Sequence, residues 1–270
     1  MSLVVRCESC GGTVVYDAGR RAARCLFCGS EKLNEQETSR ENIPVPKTAL
    51  TARVQQQDAD ARFRNWASES WWTPNIIRNA RVQLQPMFLP AWWARGEVES
   101  HWSGTVPANT RSGKAPTSGV AKMVLDGMVP ASMGLSAAEL DELQPFDHAD
   151  VHDWAGEATG QPFELPALSE QGARRWLRDR LRQEHLETII SQSTLQTAVS
   201  SSIVEEHDHA LYMIPIYIGA FRFRNRPWRF LINAQSGEVV GTKPLDRIKV
   251  LVVSLIGLSL LTLLAALAGS

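Results

Sequence analysis

Four cysteines stand in two identical pairs within the first 28 residues, Cys7-x-x-Cys10 and Cys25-x-x-Cys28, and the chain has no others. Two ligands separated by two residues point at one ion when the backbone between them turns tightly. Two such knuckles, fourteen residues apart, supply the four thiolates that tetrahedral zinc takes in closed structural sites. Each pair is followed by glycine, Gly11 and Gly29, which suits a turn whose φ becomes positive. The pattern reads as a zinc ribbon over residues 1–33 holding one structural Zn²⁺. Two disulfides, a redox dithiol or a rubredoxin-type iron site are the alternatives, although a redox Cys-x-x-Cys would be expected once, inside a βαβ unit. Catalytic zinc keeps an open position, whereas four cysteines close the shell, so no catalytic residue is expected there.

These ligands need elements to hold them. β-prone runs, Leu3-Val4-Val5 and Thr13-Val14-Val15-Tyr16, flank the first knuckle, and Asp17-Ala18-Gly19 reads as a turn. Residues 34–48 are polar, end in Ile43-Pro44-Val45-Pro46 and form a stiffened linker. Residues 49–245 form a body. Ala49 to Ala67 predicts a mostly exposed helix, ended by Trp71-Trp72-Thr73-Pro74. Met87 to Trp93 and Val98 to Trp102 read as strand, and Val106 to Gly119 as a loop rich in Ser, Thr, Gly and Pro. Ser136-Ala-Ala-Glu139 is a capping box that opens a short helix. Ser169 to Ser191 predicts the longest helix of the body, with Ala173, Leu177, Leu181, His185 and Ile189 on one stripe beside Trp176. Leu211 to Arg224, Pro227 to Asn233 and Val239-Val240 read as a β-meander with a turn at Asn225-Arg226. Phe88-Leu-Pro-Ala-Trp92 echoes Met213-Ile-Pro-Ile-Tyr217, as a duplicated β-unit, as two edge strands that tolerate proline, or as coincidence, the last two favoured.

From Val250 to Ser270 no residue is charged. Residues 248–268 predict a single transmembrane helix, since nineteen apolar residues at ~1.5 Å each span about 28 Å. Arg247 and Lys249 at its start place the body on the cytoplasmic side of the cell inner membrane, where reduced thiols also belong. The expected fold is therefore α+β: an N-terminal zinc ribbon, a β-rich body with a long amphipathic helix, and a C-terminal membrane span. The net charge of −1 argues against a chain built as a whole to grip nucleic acid, and the loaded ribbon is close to neutral.

The chain resembles a bacterial family of zinc-ribbon proteins that carry TFIIB-type zinc ribbon or primosomal-helicase-like labels. The resemblance rests on the Cys-x-x-Cys-Gly pairs, Trp66 with Trp72-x-Pro74, Phe88-Leu-Pro-x-Trp92, Val129-Pro-x-Ser132, Leu143-x-Pro-Phe-Asp147, Ile214-Pro-x-Tyr217, and the block Arg226 to Gly241 with Pro244. Ala234 and Leu245-Asp246 depart from its pattern, where a glycine and an aromatic pair are expected. The helicase label does not transfer, because Gly113-Lys114 is followed by alanine and Ala108 replaces the first glycine of a phosphate-binding loop. The resemblance implies a membrane-bound partner of envelope-stress scaffolds, of phage-shock or flotillin type.

Three further groups could do chemistry. Asp147, His148, Asp150, His152 and Asp153, and Glu205, Glu206, His207, Asp208 and His209, are ligand-rich, though solvated loops have the same composition and no nucleophile signature accompanies them. Arg174, Arg175, Arg178, Arg180 and Arg182 crowd one helix and suit phosphates, of lipid or of nucleic acid, as well as an ordinary wet face. Trp71-Trp72 and Trp92-Trp93 each point two rings in different directions, leaving one for a partner. Together these features predict a membrane-anchored zinc-ribbon adaptor that recruits protein partners, without enzyme activity or small-molecule substrate. The alternative is a tethered nucleic-acid binder using Arg20, Arg21 and Arg24 with the Arg174–Arg182 face.

Overall fold

Strands outnumber helices in this chain, and a computed structural model describes residues 2–17, 23–36, 43–224 and 226–268. Arg20, Arg21, most of the turn expected after Asp17, the middle of the 34–48 linker and Asn225 lie outside the described residues. In chain order the elements are β1 (Ser2–Cys7), β2 (Thr13–Asp17), β3 (Leu33–Glu35), β4 (Thr48–Leu50), α1 (Gln56–Glu69), α2 (Asn75–Arg78), β5 (Gln83–Pro107) and β6 (Lys114–Pro130). There follow α3 (Ala137–Leu143), β7 (Val151–Asp153), β8 (Phe163–Glu164), α4 (Glu170–Gln192), β9 (Thr197–Phe223), β10 (Arg226–Asn233), β11 (Val239–Gly241) and α5 (Arg247–Ala268). Two units share them. One takes Met1–Thr51, Met87–Asp141 and Phe146–Pro215, the other Ala52–Pro86, Glu142–Pro145 and Ile216–Ser270.

In the first unit β1 pairs antiparallel with β2 and β3, and β2 continues onto β8 through Val14↔Glu164 and Val15↔Phe163. Val4, Val15, Phe88, Phe163 and Met213 close one core cluster there. The stretch from Val106 to Gly119, expected to be a Ser/Thr/Gly/Pro loop, is the tip of a long hairpin: residues 108–113 turn, but β6 already begins at Lys114, and β5 and β6 pair from Ala91↔Pro130 to Pro107↔Lys114. Its strands alternate half-buried and exposed residues along most of β6, so composition alone resembled a loop. Helix α4 forms where the longest helix of the body was predicted, and it lies on this hairpin. Ala173, Leu177, Leu181, His185 and Ile189 are buried, and Ser169 caps the helix by accepting the Gly172 N–H at 3.3 Å. Trp176, expected beside that stripe, is 52% exposed. The capping box at α3 also forms: Ser136 N–H reaches Glu139 at 2.9 Å, and Glu139 N–H reaches Ser136 Oγ at 3.2 Å. The proline-containing echo falls in β5 and β9, each hydrogen-bonded on both sides, so neither is an edge strand.

The second unit is an aromatic core under a meander. β9 pairs with β10 from Phe223↔Arg226 to Ile216↔Asn233, and β10 with β11. Helix α1 starts later than expected, since Thr48–Leu50 is strand, and it is not mostly exposed: Ala59, Phe63, Trp66 and Ala67 are buried. The Phe63 ring stacks on Phe230 at 4.5 Å. Gly219 makes room for the Phe230 ring, because a Cβ there would meet it at 2.3 Å. Burying each of these rings contributes about 2–3 kcal/mol. Asn233, fully buried, donates to the Leu143 and Pro145 carbonyls and accepts the Gln235 and Ser236 N–H groups.

The predicted membrane span is corrected here. Among the described residues no helix is long and apolar enough to cross a membrane. The basic residues read as flanks belong to the helix and its unit: Lys249 Nζ donates to the Trp71 and Thr73 carbonyls at 2.7 and 3.1 Å. The transmembrane element of the fold class, the membrane as a partner and the placement at the inner membrane fall with it.

Two polar cores set expected outcomes. His185 Nδ1 lies 2.7 Å from Ser100 Oγ, which lies 2.8 Å from Ser202 Oγ, while Nε2 is buried without a partner. Burial lowers the pKa of His185, so the folded unit holds it neutral while the unfolded chain gains a proton below about pH 6.5. The stability it contributes is therefore present above that pH and lost as pH falls below it. Thermal melts between pH 7 and 5 should fall less steeply for His185→Gln than for the natural chain. Asn233→Ala should cost about 3 kcal/mol in urea unfolding, because it leaves buried amide groups unpaired.

Candidate metal centre

The sulfurs of Cys7, Cys10, Cys25 and Cys28 come together, every one within 4.8 Å of every other. Cys7 and Cys28 are 3.6 Å apart, as are Cys10 and Cys25. A tetrahedron with ~2.3 Å metal–sulfur bonds has edges of about 3.8 Å, so this donor set fits one tetrahedral, thiolate-bound ion. All four positions are taken by protein. Among the described residues no other group of three or more His, Cys, Asp or Glu brings ligand atoms so close.

The two knuckles are built alike. Gly11 N–H donates to the Cys7 carbonyl and Gly29 N–H to the Cys25 carbonyl, both at 2.9 Å, and both glycines take positive φ, 79° and 73°. A Cβ would strain each turn by roughly 1–2 kcal/mol. Ser9 Oγ donates to Ser30 Oγ at 2.9 Å and ties one knuckle to the other. Without an ion, burial pushes the Cys25 thiol well up and raises that of Cys10. At Cys7 burial acts in the same direction, but the N–H groups of Cys10 and Ser9 and the neighbouring Cys28 and Cys25 outweigh it and hold the thiol at about 7. Tyr16 is raised by burial and then by Cys25 and Cys7.

Beneath the cluster, a short segment fastens this lobe to the rest of the first unit. Leu165 N–H donates to the Thr13 carbonyl at 2.9 Å, and Ala167 N–H to the Ala131 carbonyl at 2.7 Å. Glu164 is fully buried; its carboxylate accepts the Ser132 hydroxyl and, at 3.0 Å, the Met133 N–H. Phe27 is wedged between glycines: a Cβ on Gly134 would meet its ring at 2.3 Å and one on Gly12 at 2.7 Å. Sequence reasoning passed over Glu164, Met133 and Phe27. A carboxylate between Phe163 and Leu165 was the available signal.

The other candidates are dispersed or consumed. His148 is stacked on Tyr212 and tilted against Trp93, while His152 stands exposed on β7, its Nδ1 3.5 Å from Thr51 Oγ1. Burial lowers the pKa of His148. The Asp147–Asp153 and Glu205–His209 groups therefore do not assemble a ligand set. Arg174 pairs with Glu170 and Glu206, and Glu206 and Glu170 also hold His209. Arg178 faces Glu206 at 3.8 Å, Arg180 bonds Asp141 at 3.1 Å and Arg182 bonds Asp179 at 3.2 Å. In the cysteine lobe Arg24 pairs with Glu31 at 2.6 Å. Of the tryptophan pairs, Trp71 and Trp72 are exposed, whereas Trp92 is buried and donates to the Leu168 carbonyl.

Gly134→Ala tests the wedge. It should loosen the lobe from β8 and speed limited proteolysis between residues 28 and 50, while the metal content per chain stays that of the natural protein by atomic absorption.

Comparison with protein-family models, with curated proteins and with solved structures finds no match to this chain.

Proposed function

We propose that the chain is a protein-recruiting adaptor, not an enzyme, whose zinc-ribbon head is folded by one structural Zn²⁺ on Cys7, Cys10, Cys25 and Cys28. The observation that carries this reading is the closed set of four sulfurs, which leaves no coordination position for a substrate or a reactive water. A lobe of this size has too little core to fold without its ion, so metal loading and recognition rise and fall together. Zinc is favoured over the other thiolate-bound metals by the tetrahedral S₄ geometry and by the absence of any need for redox chemistry at a recognition site. The nucleic-acid alternative loses ground because Arg24, Arg174, Arg180 and Arg182 are engaged in ion pairs within the chain.

The test compares the natural chain with Cys25→Ser. One zinc per natural chain is expected, together with a protein partner that co-purifies in stoichiometric amount. Cys25→Ser should lose both the ion and that partner while the aromatic core of the second unit keeps its melting transition. An unchanged set of partners in Cys25→Ser would sink the recruiting role of the head.

A further inference from the structure

We propose that the surface beside the first knuckle docks an extended acidic peptide segment of a protein partner, with Arg6 taking a carboxylate and Met133 an adjacent apolar side chain. This rests on the adaptor reading and names the chemistry of what the head recruits. A shallow cavity of about 330 Å³ is lined by Arg6, Cys7, Glu8, Gly11, Asn34 and Gln36. Arg6 and Asn34 are cross-strand partners on β1 and β3. Asn34 Nδ2 donates to the Glu8 carboxylate at 2.7 Å, which engages the acid nearest in sequence to Arg6. Among the described residues the exposed Arg6 guanidinium has no carboxylate partner of its own. A free guanidinium at the wall of a cavity selects a planar, two-oxygen anion, which it binds with paired N–H donors.

Gly11 joins this cavity to an apolar contact. Met133 is 55% exposed, and its Cε lies 3.5 Å from the point a Gly11 Cβ would occupy. Methionine, unbranched and polarisable, adapts its shape to varied apolar partners. Its backbone is fixed beforehand, because the Met133 N–H is held by the buried Glu164 and Ser132 bonds the same carboxylate. The cavity suits one side chain and a length of backbone, not a folded domain. Glu8 beside Arg6 repels a polyanion, so a single carboxylate with an apolar neighbour is favoured over a nucleic-acid backbone.

The test uses the full chain loaded with zinc and three fluorescein-labelled probes read by anisotropy. The first is a pool of ten-residue peptides with one fixed Glu and a Leu or Phe two residues on, the remainder Ser, Thr and Gly. The second is the same pool with Lys for Glu, and the third is a single-stranded oligonucleotide. The acidic pool should bind at least about tenfold more tightly than the lysine pool. Arg6→Glu should abolish that preference and Met133→Ser should weaken binding severalfold, both with zinc content and melting temperature unchanged. Equal binding of the two pools, no binding of either, an indifferent Arg6→Glu, or preference for the oligonucleotide each overturns the proposal. Partner capture that needs Cys25 but ignores Arg6 leaves the adaptor standing with its docking surface elsewhere. Capture indifferent to Cys25 removes the adaptor reading itself, whatever the peptide pools do.

Discussion

A carboxylate with none of its surface exposed holds the cysteine lobe in place. Glu164 sits in the short strand β8, where Val14 pairs with it and Phe163 and Leu165 turn into the core on either side. Burying such a charge costs several kcal/mol unless its oxygens are bonded. Here they take the Ser132 hydroxyl and the Met133 N–H, so a loop from the end of β6 is drawn in to satisfy the acid. That loop brings Gly134, and the absent side chain of Gly134 is what admits Phe27. One buried acid thus joins strand, loop and aromatic wedge, and the position of the thiol cluster follows from it.

The lobe is consequently a composite. Its knuckles are local structures, each closed by an N–H to the carbonyl four residues earlier and by a glycine of positive φ. Its footing is not local, since residues 131–134 and 163–167 supply it. An ion would fix the four sulfurs relative to one another, while the footing fixes them relative to the surrounding unit. These are separable constraints, and each addresses a different weakness of a small β-hairpin lobe with few buried side chains.

The sequence made the local features legible. The cysteine spacing, the capping box at Ser136, and the stripe from Ala173 to Ile189 all depend on residues close along the chain, where spacing is geometry. The start of β6 was read as a loop because most of that strand is half wet on one face and wet on the other, so its apolar periodicity is faint. The burial of α1 was underestimated because Phe63 acquires its partners, Phe221 and Phe230, from far along the chain. Residues 248–268 were read as a span from hydropathy alone, which does not register that Lys249 is bonded to the Trp71 and Thr73 carbonyls. The arginines of α4 were visible as charge, but their acidic partners on α3 and β9 were not, because those partners are set by packing.

Strand β9 runs from one unit into the other, and β5 and α3 are likewise divided, so each unit is assembled from three separate stretches of chain. No single cut can therefore release either unit whole. During synthesis the order of emergence matters as well. Three of the strands in the first unit's sheet are made within the first 35 residues, yet β9 arrives only after residue 197. Pairings at such separations carry a large loop-closure cost before any contact offsets it, which places this fold among the slow ones. The cysteine lobe meanwhile waits for β8, although its knuckles, closed by contacts four residues apart, can form while the rest of the chain is still being made.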